Sequence, residues 1–297
     1  MVEQLGVSVP VLIDEMDNPI WCTYDPAPNI VYFIGKDGMI IEKQGWYEPE
    51  LMKEEIHDYL FGVDDGQYDE EADYPEDESS DDETYDLEVN GYSRFVNVNY
   101  IHLMAIDVIS KFRSGVGHDY SDSFETCRSM KHYFGCRRNV DPSTVEVVSP
   151  VGGYISNVFG EYMIDDDEKI WEGIQIWVTS DEYPAFTFRI FHVELAADWA
   201  VGDEVSAGDL FGVRFGPGPG GMSDIAVMVK TPQGERKVSY FDLMTDTLFE
   251  KYKARGVQSR QEMIFTEEER DADPLNCVDK GSFFLDGGNL ENWVNLN

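Results

Sequence analysis

Between residues 143 and 240 the apolar positions alternate with polar ones, or run in short blocks, and turn residues separate the blocks. STVEVVSPVGGYISNVF, IWEGIQIWVTS and AFTFRIFHVEL each read as strands on this pattern. SDIAVMVKTPQGERKVSY reads as a hairpin turning at Thr231-Pro232-Gln233-Gly234. Residues 242–255 carry helical spacing and stop at Gly256. Residues 92–112 combine a strand-like start with an apolar stretch of helical spacing. No long repeat of solenoid type is present.

Upstream, residues 64–88 hold 14 acids and no base. Like charges this dense repel, and the segment has few apolar groups to offset the ordering entropy, so it reads as a disordered acidic linker. It lacks the glycine and terminal glutamate spacing of a calcium loop. The chain therefore divides into a small unit over 1–63, the linker over 64–90, a β domain over 91–256 and an irregular tail over 257–297. Phe283, Phe284 and Trp293 are the tail's aromatic anchors.

In the first unit, residues 9–13 and NIVYFI (29–34) suit strands, and so does 39–41, with Lys36-Asp37-Gly38 as hairpin chemistry. Asp17-Asn18-Pro19 looks like a helix start, and residues 49–60 read as an amphipathic helix. The order is β-α-β-β-α.

Charge narrows the partners. The chain has 297 residues and 59 acids against 22 bases, a net charge of −37. That field repels nucleic acid phosphates and anionic lipid. No apolar run is long enough to span a membrane, and the first residues lack a signal-peptide pattern. Cys22, Cys127, Cys136 and Cys277 form no C-x-x-C, and four thiols in a chain of this size is ordinary cytosolic usage. Cys127 and Cys136 are close enough in sequence to pair, a spacing that does not establish a bond.

FRIFHVELAADWAVGDEVSAGDLFG places a histidine, His192, ahead of two Gly-Asp reversals. Glycine takes the left-handed conformation in such a turn and aspartate caps it. With SPVGGYISNV before it and SDIAVMVKTPQGERKVSYFDLM after it, this order resembles the duplicated-hybrid-motif β-barrel over about residues 115–245. Its best-known members are the lysostaphin-type (LytM-like) zinc endopeptidases. Residues 7–60, through VPVLIDEMDN and YDPAPNIVYFIGKDGMIIEKQGW, resemble the C-terminal half of iodothyronine deiodinase, a thioredoxin-like fold, with Pro28 near that fold's cis-proline. The family's reactive residue has no counterpart here, and Cys22 does not match it. The expected architecture is a mainly β barrel or sandwich preceded by an α+β, partial thioredoxin-like unit.

The zinc endopeptidase resemblance implies a ligand set. The family uses H-x-x-x-D, the second histidine of an H-x-H, and a further histidine that assists catalysis. His192 matches the last. Asp224-Ile225-Ala226 falls on H-x-H, so Ala226 removes a ligand and Asp224 replaces the first histidine. For the first motif, His132 with Cys136 and His118 with Asp122 both remain candidates. A thiolate binds zinc as well as a carboxylate does, so Cys136 alone leaves a site open. Against these stand simpler roles: His118 in a glycine-flanked turn, His132 as a satisfied interior residue, His57 and His102 as structural. A lipoyl or biotinyl carrier would need a lysine at the 232–234 tip, and a phosphocarrier a second adjacent histidine. The expectation is a pseudo-enzyme that binds a peptide, glycan or protein, with His192 facing a pocket shared with His132 and Asp224. The alternatives are an active zinc metallohydrolase with substituted ligands, or a redox protein whose catalytic half is absent.

Overall fold

The computed structural model describes residues 31–34, 40–44, 84–165, 168–216, 222–278 and 281–297. The chain divides into two units, Met1–Asp77 and Glu78–Asn297. In the first, β1 (Val31–Ile34) and β2 (Ile40–Gln44) pair antiparallel, the two strands expected there. The other expected elements of residues 1–63, Pro28, and most of the acidic linker lie outside the described residues.

The second unit is mainly antiparallel β. After a short helix, α1 (Leu87–Asn90), come β3 (Ile106–Ser110), β4 (His132–Cys136), β5 (Glu146–Val148), β6 (Gly153–Asp165), β7 (Glu168–Ser180) and β8 (Phe186–Leu195). β9 (Glu204–Val205), β10 (Leu210–Arg214), β11 (Met222–Thr231) and β12 (Gly234–Val238) follow, then helices α2 (Tyr240–Leu243), α3 (Asp246–Lys253) and α4 (Glu267–Ala272), and a last strand β13 (Trp293–Asn295). The central sheet runs β13-β3-β4-β11-β8-β7-β6-β9.

One face of this sheet is the core. Phe186, Phe188 and Ile190 of β8 alternate inward, as do Ile225, Val227 and Val229 of β11 and Ile176 and Val178 of β7. Tyr240, Phe241, Leu248, Phe249 and Tyr252 from α2 and α3 join the same cluster. The expected single helix is two, because Met244 and Thr245 are extended and Thr245 caps α3 through the Leu248 N–H. The expected hairpin is present, with Thr231 opposite Gly234.

Three expectations are corrected. The stretch over 92–112 forms β3 and a 3-10 turn (Leu103–Ala105), not a helix, because Tyr100, Ile101, Leu103, Ile106 and Ile109 bury on several sides. The linker ends earlier than 90: the Tyr85 N–H donates to Lys230 O at 2.8 Å, and its ring meets Phe186 at 5.0 Å. The tail is not irregular. It carries α4 with a full capping box, pairs β13 with β3, and is bonded covalently through Cys277 to Cys127. Cys136, the closer partner in sequence, is a free thiol.

Candidate functional site

The opposite face of the sheet carries the charged site. Its position follows from strand parity: residues paired across an antiparallel ladder share a face, and neighbours along a strand do not. Asp224 pairs with Tyr133, and Ile225 with His132. Asp224, Tyr133 and, one step further, Lys131 therefore share one face, while His132 joins Phe134 and Ile225 in the core.

His192 reaches that face through a β-bulge. Ile174 pairs with Val193 and Ile176 with Ile190, so two steps along β7 match three along β8. Phe191 and His192 together oppose the single residue Gln175, one residue too many on β8. His192 takes φ +58°, a left-handed backbone that a non-glycine residue seldom adopts. A bulge re-aims side chains and often lies beside functional sites. Here its N–H donates to Glu161 Oε2 at 2.8 Å, and its carbonyl accepts from Phe215 N at 2.7 Å.

The two Gly-Asp turns hold β10 in place for that contact. Gly202 and Gly208 have φ +93° and +96°. Asp203 and Asp209 accept from Ala200 N at 2.9 Å and Ser206 N at 2.8 Å. Gly208 N and Gly202 N bond Ser149 O and Ile155 O, and β10 then pairs back along Val193–Leu195.

Four charges alternate across the site. Lys131 Nζ lies 2.6 Å from Asp224 Oδ2. His192 Nε2 lies 3.2 Å from Asp224 Oδ1, and His192 Nδ1 3.3 Å from Glu161 Oε2. Lys131 and Asp224 are buried, whereas the His192 side chain is 24% exposed and Glu161 14%. Lys131 also sits over the Phe191 ring at 4.3 Å and the Tyr120 and Tyr133 rings at 4.9 Å.

These contacts set the protonation states. Burial alone would lower the His192 pKa, but Asp224 and Glu161 outweigh it and hold the ring at about 9. Burial pushes Glu161 up to about 7 against the pull of His192. Burial would raise Asp224, yet Lys131 and His192 bring it to about 2. Lys131 is likewise held charged by Asp224 despite its burial. His118 Nδ1 donates to Asp119 O at 3.1 Å, leaving Nε2 to accept from Lys131 Nζ at 3.1 Å. Burial and that ammonium lower its pKa to about 4.

The candidate ligands do not converge. His192 meets Asp224 directly, but His118 reaches them only through Lys131. His132 is in the core, its Nδ1 donating to Ser110 O at 2.8 Å and its Nε2 accepting from Ser239 Oγ at 2.9 Å. Burial lowers its pKa to about 4. The expected pocket shared by His192, His132 and Asp224 is thus corrected: His132 is on the wrong face. Asp122 accepts from Phe124 N, Glu125 N and Lys237 N at 2.9 to 3.0 Å, a purely structural use of its carboxylate. Cys136 is hydrogen-bonded to Arg214. Ala226 is buried and offers no donor. These residues do not fit a tetrahedral zinc site, and no group of three or more His, Cys, Asp or Glu gathers among the described residues.

Lys131 and Glu161 were not singled out in the sequence. The signal for Lys131 was the alternation in RSMKHYF: Met130 and Phe134 are fully buried, so His132 follows them and Lys131 takes the other face.

No protein-family model matches the chain, and no curated protein does. Among solved structures, it is similar to a protein assigned as glycyl-glycine endopeptidase LytM from Ruminococcus gnavus, with 20% identity and TM-score 0.29 over 38% of this chain and 44% of that one. It is similar to the catalytic domain of lysostaphin from Staphylococcus simulans, with 18% identity and TM-score 0.26 over 42% and 88%. The SpoIIQ-SpoIIIAH pore-forming complex gives 11% identity and TM-score 0.33 over 54% and 96%. The chain spans less than half the length of the first of these.

Proposed function

We propose that the β domain is a non-catalytic binding module on a lysostaphin-like fold, and that a peptide, glycan or protein ligand docks over His192. The supporting observation is that both Asp224 oxygens face cations, Lys131 at 2.6 Å and His192 at 3.2 Å. A divalent metal there would meet two positive charges and, with Ala226 in place, too few donors. The partly exposed imidazolium of His192 is the group left to meet a ligand. The net charge of −37 argues against nucleic acid as partner. No helix among the described residues is long and apolar enough to cross a membrane. The Cys127–Cys277 bond supports an oxidising compartment over the cytosol.

The test is an NMR titration of the whole chain with glycine-rich peptides and soluble cell-wall fragments, following the His192 ring signals. The expected result is a saturable shift of the ring signals in wild type and no saturable change in the backbone amide spectrum of His192→Ala, with every peptide recovered intact by mass spectrometry. Cleavage of a peptide, or no response to any member of the panel, would overturn the reading.

A further inference from the structure

Arg214, at the end of β10, is 1% exposed, and its Nε and Nη1 have no hydrogen-bond acceptor. The groups acting on its charge are the Cys136 sulfur, then Tyr100, then Asp224. Asp224 is already committed to Lys131 and His192. A buried guanidinium without a counter-charge is costly, because it has left water and gained no anion in return. The guanidinium with these unaccepted N–H groups is hydrogen-bonded to the Cys136 sulfur. That sulfur is a free thiol and half-buried, so a molecule the size of hydrogen peroxide can reach it.

We propose that Cys136 is an oxidation site, at which hydrogen peroxide converts the thiol to sulfenic and then sulfinic acid and the new oxyanion takes the free N–H groups of Arg214. In the first step the thiolate sulfur attacks one peroxide oxygen. The S–O bond forms as the O–O bond breaks, and hydroxide leaves and is protonated to water. Sulfur loses two electrons and peroxide gains them. A second peroxide repeats the exchange on the sulfenate to give the sulfinate, a lasting anion. Burial, with the Asp107 carboxylate adding to it, pushes the Cys136 thiol up while Arg214 pulls against them, so the reaction speeds up as pH rises. The sulfinate supplies the counter-charge that Arg214 lacks in the reduced protein.

The test treats the whole chain with graded hydrogen peroxide and maps the products by peptide mass spectrometry, with exposed Met104 as internal standard. The expected product is Cys136 carrying two added oxygens, formed in wild type at least about tenfold faster than in Arg214→Met. The oxidised wild type should also unfold at a higher temperature than the reduced one. Unmodified Cys136 when Met104 is fully oxidised would overturn the proposal, as would equal rates in a folded Arg214→Met. If that variant does not fold, the wild-type protein decides alone: a lower Tm after oxidation marks the change as damage.

Discussion

Lys131 and His132 are adjacent in the chain and point to opposite faces of one sheet. Lys131 Nζ closes a 2.6 Å ion pair with Asp224, whereas the His132 ring is held in the core by Ser110 and Ser239. That one-residue difference in parity decides the chemistry of the site. It places the Lys131 ammonium, not the His132 imidazole, beside Asp224.

Removing Lys131 takes the nearer of two cations from the fully buried Asp224 carboxylate and leaves it only His192 at 3.2 Å. Lys131→Met should cost about 3–5 kcal/mol in urea unfolding. The double variant Lys131→Met/Asp224→Asn should recover a large part of that loss. Strictly additive losses in the double-mutant cycle would show that the two side chains are not coupled.

Stability should peak near neutral pH. His192 has a folded pKa of about 9, above its ordinary 6.5, so its contribution is complete below about 6.5 and is lost as pH rises through 9. His118 and His132 have folded values of about 4, so the native state binds fewer protons there and gains stability as pH rises from 4 to 6.5. Glu161, at about 7, opposes them between 4.5 and 7. Asp224, at about 2, holds its contribution above 3.8 and loses it toward 2. Thermal unfolding across pH should show the alkaline limb flattened in His192→Gln. An unchanged alkaline limb would contradict the Asp224–His192 pairing.

The Cys127–Cys277 bond fastens residues 273–278 and 281–288 beside His118. Asp119 N donates to Ser282 O at 2.8 Å, and Phe284 N to Gly117 O at 3.3 Å. Cys277→Ser should lower stability by about 2–5 kcal/mol and open this segment to limited proteolysis. β13, held by its ladder to β3, should remain protected. Protection throughout the segment in the variant would show that the hydrogen bonds suffice alone.

The hairpin at 231–234, the two Gly-Asp turns and the alternating strands were legible because glycine placement and period-2 burial are local properties. The bulge at Phe191 and His192 was not, since it is set by two neighbouring strands whose lengths fail to match. The sharing of a face by Lys131, Asp224 and His192 depends on that bulge. Glu161 lies in a strand of mixed polarity, and its partners, the N–H and the ring of His192, are presented to it by the bulge. Cys277 lies 150 residues from Cys127, and no spacing rule reaches that far. His192 and Asp224 were singled out and do meet, at 3.2 Å. His132, Cys136 and Asp122 each found a different partner.

The most direct test is a zinc titration of metal-free protein by calorimetry, with wild type, His132→Ala and Asp224→Ala compared. With both Asp224 oxygens held by cations, wild type should bind no stoichiometric zinc, and His132→Ala should behave identically. One tightly bound zinc per chain, released by either substitution and accompanied by cleavage of a glycine-rich peptide, would contradict the account and restore a metallohydrolase.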